Sequence, residues 1–339
     1  MSTHNDMTTL SPFAQEVALT LNQRPRQLPT HYLYDNLGSA LFDAICHLPW
    51  YHLTRAEEGL LKKYGGAICS FCENLGEIIE LGPGSGAKMQ HLLRGRRHIP
   101  NQKPHADNGN DGEPPSLDIH LIDISAAALD EASTRLESCE NTLVHCHHCT
   151  YQEGLRRIAG ETREQPSTHR RLALMLGSNL GNFSPQDSQN LLQDMSRILS
   201  PGDYLLLGVD LVKEEDALCL AYNDPLGLTA AFNRNILQRI NQELGANFAQ
   251  NTFAYEVIWN SRAERVESYL VSKVAQEVSI PGANMTIQLK AGEALWTESS
   301  YKYRLQGLQD MVAQCSLYAR QSWVDEEAQF ALFLAEKVT

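Results

Sequence analysis

Between Ile78 and Lys88 the chain reads IIELGPGSGAK. Ile78 and Ile79 make a short apolar strand, Glu80 closes it, and Gly82, Gly84 and Gly86 follow as a turn almost free of side chains. From Ala87 to Leu93 the pattern becomes helical. A strand, a glycine turn and a helix start bring backbone N–H groups against a nucleotide-like ligand without Cβ clashes. Asp123 ends the run LDIHLID, where a carboxylate can accept both ribose hydroxyls of a bound nucleoside. A purely structural turn and a surface aspartate are the other readings of these residues. Together they point to a nucleoside cofactor, NAD included.

Further along, LGSNLGNF (Leu176 to Phe183) leaves another apolar run. Ligands of open α/β sheets sit beyond the carboxyl ends of the strands, so Ser178 and Asn182 are candidates to face a reacting centre; ordinary turn chemistry is the alternative. The stretch LWTESSYKY carries Glu298, Ser299 and Ser300 among aromatic residues. A carboxylate and a hydroxyl two residues apart on a strand face one side and can hold an N–H-bearing substrate, unless the strand edge merely faces solvent. Two CxxC pairs, Cys69 with Cys72 and Cys146 with Cys149, the latter beside His145, His147 and His148, have zinc-ligand chemistry. The first ends a predicted helix and the second a predicted strand, so buried or incidental thiols are preferred and no metal is expected.

The elements that position these residues alternate. A helix around Ser11 to Asn22 comes first; Ser39 is expected to cap a second, which Pro49 stops, and Thr54 to begin a third with Glu57 at capping-box spacing. Arg94 to Ser116 is rich in Pro, Gly, Asn and Asp and reads as a polar insertion. Strand candidates Leu117–Asp123, Thr142–Cys146, Leu172–Gly177 and Asp203–Leu211 alternate with helices from Ser125, over Tyr151–Ala159 and over Pro185–Leu199. That order implies a doubly wound parallel sheet. From Lys213 the period changes: helices over Glu214–Tyr222 and Leu228–Leu244 precede the extended runs FAYEVIWN, ERVESYLVSKVAQEV and MTIQLK, which alternate like an antiparallel sheet. A helix near Tyr303–Cys315 and the run Ala328–Ala335 return to the first sheet. The expected fold is a Rossmann-like α/β core (56–212 plus 302–339) with a second α+β domain built from 1–55 and 213–301.

The 339 residues suffice for such a pair of cores, and 42% hydrophobic with 20% charged residues is ordinary globular usage. A formal net charge of −13 argues against a general nucleic-acid or anionic-membrane binder, and the short cluster Arg94, Arg96, Arg97 reads as a solvated helix end. No apolar run reaches membrane-spanning length, and the N-terminus lacks the pattern of a secretory signal. Eight cysteines in that context suggest reduced thiols in a cytoplasmic protein, expected as a monomer.

With the acid two residues upstream, the G-x-G-x-G spacing is the form typical of S-adenosylmethionine (SAM) methyltransferases. The motifs YDNLGSALFDAI, PWYHLTRAE, ELGPGSGAK, LGSNLGNFSP, PGDYLLLGVDLVKEEDAL, AYNDPLGLTAAFNRNIL, WNSRAERVESYL and GEALWTESSYKY cover nearly the whole chain outside its first residues and 95–116. On them the chain resembles the histidine Nα-methyltransferases of ergothioneine biosynthesis, which convert L-histidine to its trimethyl betaine, hercynine. LTAAFNRN with TESS downstream is the most specific part, since generic methyltransferases lack it. The resemblance implies SAM contacts at the Gly82–Gly84–Gly86 turn, Lys88, Asp123 and the pair Thr150–Tyr151. It implies histidine contacts at Tyr51, Asn182 and Tyr222, with Glu298 and Ser300 near the imidazole and Tyr34 near the substrate. Ser299 adjoins that pair as a further substrate-binding candidate, and Tyr34 or Tyr51 is expected to assist proton loss through water. Two positions depart from the family pattern. Thr150–Tyr151 replaces an acid–aromatic pair, which passes adenine recognition to Gln152, Glu153 or backbone. Ser268 replaces a methionine beside the imidazole, which widens or polarises the substrate pocket. The rival readings are an N-methyltransferase of the same fold acting on another amino acid or amine, an NAD-linked oxidoreductase, which the glycine spacing disfavours, and a SAM-binding regulator without turnover.

Overall fold

The apolar strand that enters the glycine turn, β1 (Leu75–Leu81), lies inside a seven-stranded sheet. A computed structural model describes residues 10–96, 116–160 and 169–338. Most of the polar insertion, from 97 to 115 and including Arg97, falls outside them; Arg94 and Arg96 occupy the last turn of the helix Ala87–Arg96. The remaining strands are β2 (Leu117–Asp123), β3 (Thr142–His148), β4 (Arg170–Met175), β5 (Tyr204–Asp210), β6 (Leu317–Asp325) and β7 (Phe330–Lys337). Their order is β6-β7-β5-β4-β1-β2-β3. β1 to β5 pair in parallel, and β7 is antiparallel to both β5 and β6. Every residue of β5 is buried, as a strand covered on both faces requires, whereas the edge strand β3 is accessible along its length. Strand order reverses between β1 and β4, so the turns leaving these two strands flank the crevice that an open α/β sheet opens at such a point.

Helices between the strands bury narrow apolar stripes: Leu129, Ala132 and Leu136 on Ala126–Glu137, Leu155 and Ile158 on Tyr151–Gly160, and Leu191, Leu192 and Met195 on Pro185–Arg197. One core cluster joins the last two to Ile79, Ile122, Met175, Leu207 and Phe333 of the sheet. Pro185–Arg197 starts where Ser184 Oγ accepts the Asp187 N–H, with proline at the position that needs no donor. The edge strand β6 is additional to the strands foreseen from sequence.

The chain divides into two compact units. His52–Lys213 with Tyr301–Thr339 holds the large sheet, and Met1–Tyr51 with Glu214–Ser300 forms the other. The latter contains a four-stranded sheet ordered Arg26–Gln27, Ala294–Tyr301, Arg265–Ser272, Phe253–Asn260, and an antiparallel pair, Gln276–Ile280 with Met285–Leu289. The single extended run expected from Glu264 to Val278 is therefore two strands in two sheets. Ser272 Oγ donates to the Val274 carbonyl at 2.8 Å in the bend between them, a break that alternation alone does not reveal.

Two expected caps are corrected. The helix Asn36–Cys46 is capped by Asp35, whose Oδ1 accepts the Gly38 N–H at 2.7 Å and is held by Asn235 Nδ2 at 2.7 Å. Ser39 lies inside that helix, its hydroxyl turned back to the Tyr34 carbonyl. The next helix, Leu53–Phe71, begins before Thr54 without a capping side chain. Glu57 cannot complete a capping box there because its carboxylate is buried and engaged elsewhere. Among the described residues no helix is long and apolar enough to cross a membrane.

Candidate active site

In the unit with the large sheet, Gly82, Gly84 and Gly86 all have positive φ, at +72°, +55° and +75°. The turn is tied by Gly82 N–H to the Ile122 carbonyl and Gly86 N–H to the Pro83 carbonyl, both at 3.0 Å. A Cβ at Gly82 would lie 2.5 Å from Tyr151 Oη and 2.7 Å from Asn179 Nδ2, whereas one at Gly84 would meet nothing within 4 Å. The sequence-predicted Gly82 and Tyr151 thus meet, and space for a ligand opens at Gly84. Asp123 ends β2, its Oδ1 accepting the Ser125 N–H at 2.8 Å. Burial raises its carboxyl, against the pull of the Ser125 and Ile124 N–H groups and His148.

Glu80, the last but one residue of β1, is fully buried, and neither carboxyl oxygen has a hydrogen-bond partner among the described residues. Burial lifts it to about 8; Lys88 pulls down, while Glu57 and Asp123 push further up. An orphaned buried carboxyl beside an open glycine turn fits a cationic ligand group. Lys88 Nζ lies 2.6 Å from Glu57 Oε2, and both Glu57 oxygens take the Gly177 N–H, at 2.8 and 2.9 Å. A Cβ at Gly208 would fall 1.7 Å from Glu57 Oε1, so β5 needs glycine there to let the carboxylate in. Sequence reasoning passed over Glu57 as a helix-capping residue; only its tertiary partners reveal that it links the helix after the glycine turn to the turn after β4.

Thr150 and Glu153 cap the helix Tyr151–Gly160 reciprocally: Glu153 Oε2 accepts from Thr150 N and Oγ1, each at 3.2 Å, and Thr150 Oγ1 accepts the Glu153 N–H at 3.3 Å. That engages Glu153, which was expected to share adenine recognition. Ser178 has φ +58°, is buried, and accepts the Asp210 N–H at 3.1 Å, so the turn reading describes its hydroxyl. Asn182 is half-buried at the end of the 3-10 turn Asn179–Asn182.

The other unit gathers Tyr34, Tyr51, Tyr222, Glu298 and Ser300. Tyr222 Oη lies 2.7 Å from Ser300 Oγ. Ring centroids of Tyr51 and Tyr222 are 6.2 Å apart, those of Phe42 and Tyr51 6.2 Å, and Tyr34 meets Phe42 and Phe232 edge-on at 5.5 and 5.3 Å. The two phenylalanines, which sequence reasoning missed, extend the tyrosines into a connected aromatic wall. Glu298 and Ser300 are buried, and Ser299 between them is half-buried on the alternate face of the strand. Burial pushes the Tyr51 phenol well above its ordinary range, with Tyr222, Cys46, Tyr34 and Glu298 adding. It therefore stays protonated at neutral pH. Ser268 is buried, its hydroxyl 3.0 Å from Tyr255 Oη and so already engaged within the protein.

The two cysteine pairs differ in exposure, since Cys146 is exposed and Cys149 is buried. Cys69 and Cys72 are buried, and burial pushes the Cys69 thiol up to about 12. His147 Nε2 faces His120 Nδ1 at 3.0 Å. Among the described residues no group of three or more His, Cys, Asp or Glu is arranged to hold a metal ion.

Residues 13–337 match a family model described as histidine-specific methyltransferase, SAM-dependent. A histidine N-alpha-methyltransferase of Mycobacterium tuberculosis is 34% identical over 323 residues, 95% of this chain and 94% of that protein. One of Mycolicibacterium smegmatis is 33% identical over 321 residues, again 95% and 94% of the two chains. Ergothioneine biosynthesis protein 1 of Neurospora crassa is 31% identical over 221 residues, 65% of this chain and 23% of that longer protein.

Proposed function

Because the chain belongs to the histidine-specific, SAM-dependent methyltransferases, we propose that it transfers methyl groups from SAM to the α-amino nitrogen of L-histidine, three in succession, yielding hercynine for ergothioneine biosynthesis. The observation that carries the reading is the orphaned buried carboxyl of Glu80 beside the open glycine turn, a setting for a cationic donor. Glu298 and Ser300, buried on one strand with Ser300 against Tyr222 of the aromatic wall, supply groups for an imidazole.

In this reading the Gly82–Gly84–Gly86 turn and Lys88 hold the donor's amino-acid end, Asp123 its ribose, and Thr150–Tyr151 flank its adenine. When bound, the donor supplies an electrophilic methyl already activated by its sulfonium. What the chain must then control is position and protonation state. Asn182, Tyr51 and Tyr222 take the substrate's aminocarboxylate, while Glu298 and Ser300, with Ser299 adjoining, take the imidazole. An α-amine is largely protonated at neutral pH, and only its lone pair attacks. Tyr34 or Tyr51 assists that proton loss through water: the Tyr51 phenol, held protonated by burial, accepts a hydrogen bond on its oxygen while its own hydroxyl donates onward to water, which carries the proton away. The aromatic wall suits an amine that gains bulk and ends as a fixed cation. Repetition stops at the quaternary nitrogen because no lone pair remains. Eight cysteines, all present as thiols, suit a reducing, cytoplasmic setting.

Incubating the protein with SAM and histidine and reading product mass tests this directly. Three added methyl groups, all on the α-nitrogen by NMR, are expected; methylation of the ring, or turnover on another amine alone, would replace the reading.

The donor side carries a pH signature. A cationic ligand favours ionised Glu80, which in the free protein titrates near 8, so the bound carboxyl titrates lower. Donor affinity accordingly falls as pH drops below about 8, and binding at pH 7 releases a proton. Calorimetry in buffers of different ionisation heat measures that proton: its release is expected in the native protein and lost in Glu80→Gln. Identical enthalpies across buffers would remove Glu80 from the donor's contacts.

A further inference from the structure

Tyr222 is gripped at both ends. Its hydroxyl meets Ser300, and its backbone carbonyl, at the end of the helix Glu215–Tyr222, accepts a hydrogen bond from Tyr255 Oη at 2.9 Å. That carbonyl is among those a helix terminus leaves without an intrahelical donor, so an external one decides its position. A phenol has a single proton. Since the Tyr255 proton goes to Tyr222, the Ser268 hydroxyl 3.0 Å away donates to Tyr255 Oη. The relay runs one way, from Ser268 to Tyr255 to Tyr222.

Its surroundings hold the relay in place. Asn233 Nδ2 approaches Tyr255 Oη at 3.5 Å and donates to the Thr229 carbonyl at 3.1 Å. Thr297 Oγ1 donates to Asn233 Oδ1 and reaches the Ser268 carbonyl at 3.0 Å. Ser268, Asn233 and Thr297 are at most 1% exposed, so a lost partner there is not replaced by water. Burial, Glu298, Tyr222 and Asp224 hold the Tyr255 phenol in its protonated form, against the Ser268 hydrogen bond.

We propose that Tyr255, with Ser268 behind it, is a positioning residue for the substrate's aminocarboxylate, acting through Tyr222 without touching the substrate. This rests on the placement of Tyr222 in the histidine site. It also gives Ser268 a definite role, because its hydroxyl proton orients a protein phenol.

Calorimetry and kinetics test it together. Tyr255→Phe keeps the ring but strands the Tyr222 carbonyl and the Ser268 hydroxyl. Histidine Kd and KM are expected to rise about tenfold, with SAM affinity unchanged. Ser268→Ala leaves the Tyr255-to-Tyr222 bond and should raise histidine Kd about two- to threefold. The double variant should match Tyr255→Phe alone, because the serine acts only through the phenol. Native histidine affinity in Tyr255→Phe, an equal loss of SAM affinity, or additive single effects would each overturn the proposal. Should Tyr255→Phe not fold, histidine affinity in Ser268→Ala decides, and an unchanged value counts against it. Tyr222→Phe separates the two levels: weakened histidine binding there beside a silent Tyr255→Phe sinks this inference alone. A native protein that binds no histidine sinks the functional reading beneath it.

Discussion

Replacing Glu298 with alanine should raise the histidine KM by about 10- to 100-fold while leaving SAM affinity within twofold. The carboxylate is buried on the strand Ala294–Tyr301, two residues before Ser300. A charge-assisted hydrogen bond to an imidazole N–H in such surroundings is worth about 1.5–3 kcal/mol, and a factor of ten is about 1.4 kcal/mol. If the same bond forms in ground and transition states, the loss appears in KM, with kcat comparatively spared. Steady-state kinetics with each substrate varied in turn would show it. Unchanged histidine kinetics would take Glu298 out of the site, and an equal fall in SAM affinity would mean a structural fault.

The second large effect belongs to the donor side. Asp123→Ala should weaken SAM binding by about 100-fold, since two charge-assisted hydrogen bonds to a ribose are lost together. The local fold should survive, because the helix Ala126–Glu137 keeps its own cap, Ser125 Oγ accepting the Ala128 N–H at 3.3 Å. Histidine binding, measured without donor, should be unaffected. Normal SAM affinity in this variant would contradict the ribose assignment.

Much of the fold is legible along the chain because its signals are local. β2, the helix Leu228–Leu244 and the strand Phe253–Asn260 lie where apolar runs and periodicity place them. The alternation of strands and helices from Leu75 to Asp210 is enough to imply a parallel sheet. The misses share a cause. β6, LYARQSWVD, is an edge strand with a register shift between Ala319 and Gln321, so its exposure never settles into a period of two. Asp35 outcompetes Ser39 as a cap because Asn235, two hundred residues away, also holds its carboxylate.

The candidate site divides the same way. Glycine spacing, Asp123 and the Glu298–Ser300 pair stand out because their types and intervals carry chemistry by themselves. Glu57 does not, since its meaning comes from Lys88, Gly177 and the missing side chain of Gly208. Tyr255 reads as one more strand aromatic until its hydroxyl is traced to the Tyr222 carbonyl. The stacked contacts of His120 with His145 and His147 likewise depend on the pairing of β2 with β3, which no run of sequence displays.

A crystal structure with S-adenosylhomocysteine and L-histidine bound together tests the account most directly. It should show the nucleoside's ribose hydroxyls on the Asp123 carboxylate, and the histidine with its ring on Glu298 and its carboxylate on Asn182 and Tyr222. Histidine seated away from Glu298, or a ribose turned from Asp123, would contradict it.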